Sequence, residues 1–288
     1  MATNTATAPK RSRSPRLAEV VSVERLSPGM VRVVFGGPGL AGFDAAQFTD
    51  HYVKLQLPPP GASYTPPFDV EEIRARLSRD EWPRTRTYTV QGWDPDSGQL
   101  SIDFVIHGDT GVAGPWAAAA APGDRIQLQG PGGAYAPDPQ AHWHLMVGDS
   151  SVLPAISASL ARITAGTPVH VLVEVDGPQE ERELHTPGDL HLTWVQPTGT
   201  DSGTDGPLCE AVRRLAFPAG RAQCFVHGEA SAVRSIRRHL LADRGLPREA
   251  LSVSGYWKRD RTEDGWREDK PDWNRQVEED LASSGHDA

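Results

Sequence analysis

The chain has 288 residues, enough for two domains or one large one. It is 38% hydrophobic and 23% charged, ordinary globular material, and no apolar run is long enough to span a bilayer, so no membrane partner is expected. The net charge of −9 argues against nucleic acid as a partner. Ten acids against four bases in residues 260–288 place most of that charge at the C-terminal end.

Residues 1–16 scatter Lys10, Arg11, Arg13 and Arg16 among Ser, Thr, Ala and Pro. This reads as a disordered, solvated leader without the apolar segment of a signal peptide. The two cysteines, Cys209 and Cys224, have neither metal-ligand spacing nor a secreted context. Buried thiols and a cytoplasmic location are the expectation.

Leu17–Val23 and Met30–Phe35 alternate on either side of Pro28-Gly29, a hairpin opening an antiparallel sheet. His51–Leu57 alternates until Pro58-Pro59-Pro60 stops it. Lys54 shares a face with Tyr52 and Gln56, and by position alone reads as an exposed strand lysine. Residues 58–85 form an insertion with one short helix, Asp69–Leu77, capped by Asp69. It either covers the barrel or is a plain surface loop. From Arg86 to Ile106 the pattern is strand, turn at Asp94–Gly98, strand: a hairpin. A small-residue loop, Asp109–Pro115, then runs into an alanine-rich helix near Trp116. Free N–H groups at such a terminus suit an anion, though the lysine of a mononucleotide P-loop is missing. Ile126–Gln129 adds a further strand. Residues 17–138 therefore predict a small antiparallel β-barrel, with Pro137-Asp138-Pro139 as a hinge.

The period then changes. Strands at 142–147, 168–175, 190–195, 224–229 and 251–254 alternate with helical patterns at 152–163, 208–215 and 230–244. Residues 139–256 predict an α/β domain with a parallel sheet, whose ligand edge carries Gly148-Asp149-Ser150-Ser151, Glu174 and Gly228-Glu229. Residues 257–288 hold Trp257, Trp266 and Trp273 in a polar stretch. Aromatics there must dock on the body of the protein, and the end of the segment is expected to be disordered.

Three stretches carry a family likeness: Arg86-Thr87-Tyr88-Thr89, Asp103-Phe104-Val105-Ile106-His107-Gly108, and Gly114-Pro115-Trp116-Ala117. With Gly255-Tyr256-Trp257 they resemble the signature of the siderophore-interacting protein family. These are FAD-dependent ferric-siderophore reductases of the ferredoxin-reductase-like superfamily. On its own, Tyr-Thr-Val is simply good strand sequence.

The resemblance implies a set of roles. Arg86 pairs with the FAD pyrophosphate, Tyr88 packs on the isoalloxazine, and Thr89 is the catalytic-position hydroxyl near the redox nitrogen. Thr87 and Val90 flank them. Asp103, Phe104, Val105, Ile106, His107 and Gly108 run along the flavin. Thr110, Gly111, Val112, Ala113, Gly114, Pro115, Trp116 and Ala117 complete the cofactor loop. No second histidine has metal-ligand spacing to His107. Asp149, Ser151, Glu174, Gly228 and Glu229 would receive NADPH or NADH, with Ser150 where the family more often has Glu. Gly228-Glu229 stands where related reductases have Cys-Gly, which leaves ferredoxin open as donor. Tyr256 and Trp257 return to the flavin. Lys54, Lys258 and Arg259 form a basic patch for an anionic ferric siderophore. Gly132 replaces a frequent arginine of that patch, and Asp260 a usual glycine. The implied protein is a monomer that reduces Fe(III)-siderophore to Fe(II). The alternatives are another flavin or ferredoxin reductase of the same fold, and a non-catalytic siderophore-binding protein.

Overall fold

In the computed structural model, residues 15–106, 108, 111–197 and 206–282 are described. Seven strands form one antiparallel sheet that curls into a barrel: β1 (Arg16–Ser27), β2 (Met30–Gly36), β3 (Tyr52–Leu57), β4 (Arg84–Thr89), β5 (Gly92–Asp94), β6 (Gln99–Val105) and β7 (Arg125–Gly132). Their order is β4-β3-β7-β1-β2-β6-β5. Alternation along each strand turns Val33, Phe35, Val53, Leu55, Leu100, Ile102, Phe104, Ile126 and Leu128 inward, all fully buried. Arg16, assigned by the sequence to the leader, is the first residue of β1, and its guanidinium donates to the Ala41 carbonyl at 2.6 Å.

The stretch from Arg86 to Ile106 is not one hairpin. β4 pairs with β3, whereas β6 pairs with β2 and with the three-residue β5. The Asp94–Gly98 turn therefore joins β5 to β6. The strands flanking it were legible from alternation, but the pairing depends on barrel closure, which alternation does not encode. In the 58–85 insertion, α1 (Val70–Arg76) starts at Asp69, whose carboxylate accepts from the Glu71 and Glu72 amides. Gln127, buried in β7, ties the insertion down by bonding both the amide and the carbonyl of Phe68. The small-residue loop leads into α2 (Ala113–Ala119).

The second domain is a five-stranded parallel sheet, ordered β10-β9-β8-β11-β12. Its strands are β8 (Trp143–Asp149), β9 (Pro168–Glu174), β10 (Asp189–Val195), β11 (Ala222–Glu229) and β12 (Leu251–Trp257). β8 is buried on both faces, as expected for a central parallel strand. One face packs on α4 (Pro207–Arg214), α5 (Ala230–Arg238) and α6 (Glu263–Ala282). The other packs on α3 (Leu153–Leu160) and on the barrel, through Leu26, Met30 and Val105. The two domains thus share a hydrophobic seam. Pro137-Asp138-Pro139, where the chain passes between the domains, is bonded to the second: Gln223 accepts from the Asp138 amide at 2.8 Å, and Arg221 pairs with its carboxylate at 2.9 Å.

Most of the 257–288 segment is α6, a 20-residue helix. Trp266 and Trp273 are buried against α5, in edge-to-face contact at 5.7 Å. Gly255 makes room for this: a Cβ there would lie 2.9 Å from the Trp266 ring. Asp260 adopts φ 60, a left-handed conformation that aspartate tolerates better than most residues. No helix among the described residues is long and apolar enough to cross a membrane. Cys209 and Cys224 are buried and form no disulfide.

Candidate functional site

The parallel sheet winds outward in opposite directions from β8 and β11, so the crevice beyond their C-terminal ends is the topological switch point where such sheets bind ligands. Asp149 and Glu229 terminate those two strands. The Asp149 carboxylate accepts from the Ser151 amide at 2.9 Å, the Glu229 amide at 2.8 Å and the Trp257 indole N–H at 2.9 Å. Burial pushes its carboxyl above the ordinary range, with those donors pulling the other way. Gly228 lies in this hub with φ 126, and a Cβ would meet Asp149 Oδ2 at 2.4 Å. Glu229 caps α5, accepting from the Ser231 and Ala232 amides at 2.7 and 2.9 Å. Its other oxygen accepts from the Arg259 amide at 3.2 Å. Glu174, at the end of β9, lines the same cleft and is pushed up by burial, then by Asp149.

Across the seam lies β4. Tyr88 packs on Phe104 at 4.4 Å between centroids, and burial holds its phenol well above the usual range. Thr89 is buried, and it opposes the rise that burial gives the phenol of Tyr256 on β12. Val90 lies in the barrel core. Arg86 is occupied by carboxylates: Nε meets Glu263 Oε2 at 3.0 Å and Nη1 meets Asp264 Oδ1 at 3.3 Å. The Thr87 amide donates to Glu263 Oε1 at 3.2 Å. Arg86 and the Thr87 amide therefore already form an anion-binding pair, with side-chain carboxylates standing in the anion's place. That donor set fits a pyrophosphate.

The structure separates the remaining candidates. Asp103 points away from the barrel interior and is fully buried between Arg32, at 2.7 Å, and Arg182 of the second domain, at 3.6 Å. Phe104, Ala113 and Ala117 are core residues, with Val112 and Ile106 packed on them. Trp116 stacks on Phe35 at 6.1 Å. Val105 joins the interdomain seam. Gly108 and Gly111 both have positive φ, and Gly114 packs its backbone near the Val105 carbonyl. Pro115 is half-buried. His107 and Thr110 lie outside the described residues. Lys54 is exposed on β3, register partner of Thr87, while Lys258 and Arg259 follow β12 on the other side of the seam.

Sequence reasoning missed Glu263, Asp264, Arg182 and His227. Acids opening a helix after Thr262 were a visible signal, but nothing linked them to an arginine 178 residues earlier. His227 is buried, its Nε2 3.0 Å from Ser252 Oγ, its ring stacked on Phe225 and edge-on to Tyr256. Burial, then Lys270, pushes the imidazole down to about 3, so it is neutral. Below its ordinary value the unfolded chain takes a proton that the folded ring refuses. The contribution to stability is therefore intact above about pH 6.5 and is lost as pH falls towards 3. Relative to His227→Gln, which cannot titrate, the wild type should lose up to about 1.4 kcal/mol per pH unit across that window. Urea unfolding of both proteins at pH 7.5, 6 and 5 measures it, and a pH-independent difference would refute it.

A flavin-type antiparallel barrel joined to a parallel sheet, with a polar crevice at the switch point, defines the ferredoxin-reductase-like class. Within it, residues 19–135 match the siderophore-interacting FAD-binding domain and residues 141–260 the siderophore-interacting protein family. The chain belongs to that family, as its motifs implied. It is 32% identical over 262 residues to the ferric vibriobactin reductase ViuB of Vibrio cholerae serotype O1, across 89% of this chain and 94% of that one. It is also 32% identical to the NADPH-dependent ferric-chelate reductase of Escherichia coli (strain K12), across 88% and 98%. The siderophore-interacting protein SipS from Aeromonas hydrophila superposes with a TM-score of 0.75 at 28% identity, covering 91% of this chain and 98% of that one.

Proposed function

We propose that this protein reduces ferric iron carried by a siderophore, with FAD as its resident cofactor. The observation that carries the reading is the anion-gripping pair of Arg86 and the Thr87 amide on the strand that also bears Tyr88 and Thr89. Arg86 and the Thr87 amide hold the pyrophosphate, Tyr88 offers a flat amphipathic wall, and Thr89 can donate or accept at the ring's edge. Gly108, Gly111 and the first turn of α2 line the same cofactor, and Tyr256 and Trp257 close over it from the second domain. FAD, when bound, supplies the conversion between a two-electron donor and a one-electron acceptor.

The donor is NADPH or NADH, seated at the switch point by Ser151, Gly228 and the carboxylates of Asp149, Glu174 and Glu229. The name of the Escherichia coli relative supports NADPH, and ferredoxin is the alternative. Lys54, Lys258 and Arg259 attract the anionic chelate. The siderophore brings its own ligands to the iron, so the protein positions it and steers it by charge. Fe(II), a poorer match for hard anionic oxygens, is then released in the cytoplasm by a monomeric enzyme.

The test is anaerobic. Protein loaded with FAD should bleach with NADPH or NADH and recover its yellow colour on adding a ferric catecholate or hydroxamate, with Fe(II) caught by a chromogenic chelator. Failure to take up FAD refutes the reading. Uptake and bleaching without ferrous product point to another flavin reductase, and siderophore binding without bleaching to a carrier.

A further inference from the structure

Arg86 has more acceptors than the proposed cofactor chemistry leaves room for. Its Nε lies 3.0 Å from Glu263 Oε2 in an ion pair, its Nη1 donates to both the Thr85 carbonyl at 2.9 Å and Asp264 Oδ1 at 3.3 Å, and its Nη2 to Asp264 Oδ2 at 3.5 Å. A guanidinium has five N–H groups; three are committed to hydrogen bonds, and the ion pair with Glu263 covers the Nε side. The neighbouring amide of Thr87 is also taken, by the second Glu263 oxygen. The side chain is only 12% exposed, so it cannot turn to a second anion while keeping the first two. A bidentate grip on a pyrophosphate needs two parallel N–H groups. It also brings two negative charges against two carboxylates that share one cation.

We infer that Glu263 and Asp264, the first turn of α6, are an internal competitor for the cofactor's phosphates at Arg86, so that the C-terminal helix sets the affinity for FAD. The inference rests on the FAD reading above. The fold lets the turn yield without losing the helix. Beyond it, α6 is anchored by buried Trp266 and Trp273 and by Arg234, which grips Asp280 at 2.6 and 2.7 Å. Before it lies an exposed link with left-handed Asp260. Asp264 is 43% exposed and needs only a rotation into water to let go. Arg267 keeps the next turn against the Thr85 carbonyl at 2.8 Å, and Glu268 against Arg79 at 3.2 Å, so release is confined to the first turn.

The experiment uses the full chain stripped of flavin and compares wild type with Glu263→Gln, Asp264→Asn and the double variant. Flavin fluorescence quenching in stopped flow gives association rate and Kd for FAD, with ADP competition and riboflavin as separate arms. The double variant should bind FAD about tenfold tighter and faster. ADP should gain alike and riboflavin, which has no phosphate, should not; in an Arg86→Gln background the gain should vanish. In wild type, adding FAD should speed hydrogen exchange at residues 263–266 and leave 270–280 protected. Unchanged Kd values would make the contact a plain interdomain clamp, and weaker binding by the double variant would make the acids a support that orients Arg86; either overturns the inference. Absence of FAD binding by wild type refutes the FAD reading itself, and this inference with it. Wild-type binding with unresponsive variants refutes this inference alone.

Discussion

Replacing Asp103 by alanine is expected to destabilise the protein by about 3–5 kcal/mol, read as a lowered midpoint in urea. The carboxylate is fully buried and bridges the domains, meeting Arg32 at 2.7 and 3.0 Å and Arg182 at 3.6 Å. Removing it leaves two guanidinium groups facing each other in a poorly hydrated seam. Arg182 has little else to turn to: its Nη2 is already without a partner, and its Nη1 lies against the Met30 sulfur. Burial lowers the Arg182 pKa and Asp103 opposes that, whereas the bond to Asp103 raises that of Arg32. Both cations depend on the one anion. Asp103→Asn keeps hydrogen-bonding capacity without charge and should lose less. The FAD affinity of the folded fraction should hardly move, because the carboxylate points away from β4. A stable Asp103→Ala protein that has lost FAD would return this residue to the flavin role its motif implied.

Asp103 shows what could and could not be read from the chain. The strand Leu100–Ile106 was legible because Leu100, Ile102 and Phe104 alternate with polar neighbours, and the structure buries those three in the barrel. The alternation also puts Asp103 on the opposite face. What it cannot give is the identity of that face's partner, since Arg182 lies 79 positions away in the other domain. The same limit applies to Arg86. Its place on a strand beside Tyr88 and Thr89 was plain, but the acids that hold it come from a helix whose polar, proline-bearing sequence hid it. Pro271 lies inside α6, where it removes one backbone bond and crowds the preceding turn. Local propensity thus argued against a long helix that tertiary packing of two tryptophans supports. The second domain was easier to read because its inner parallel strands, β8, β9 and β11, are mostly buried and appear as largely apolar runs. The carboxylates at their ends follow from the winding rule and not from the residues themselves.

Trp273→Ala should cost about 3–5 kcal/mol if α6 unfolds with the rest of the chain, and less if α6 can come away alone. The ring is 7% exposed, packs on Trp266, and donates its indole N–H to the Ala230 carbonyl at 3.2 Å. Truncation removes the helix's central anchor and leaves that carbonyl at the start of α5 without its donor. A 20-residue helix with so polar a sequence has little stability of its own in water. The global loss is therefore capped at whatever α6 contributes by docking, beyond which the helix detaches locally. The two regimes separate by hydrogen exchange. Local detachment would raise exchange across 263–282 and leave β8 and β11 protected, with a small fall in the urea midpoint. Coupled unfolding would lower protection everywhere. In the detached regime Arg86 also loses Glu263 and Asp264, so FAD association should quicken as it does when those acids are neutralised in place. A protein that kept α6 protected and changed by less than about 1 kcal/mol would show that Trp273 is dispensable, and that Trp266 and the Arg234–Asp280 pair hold the helix instead.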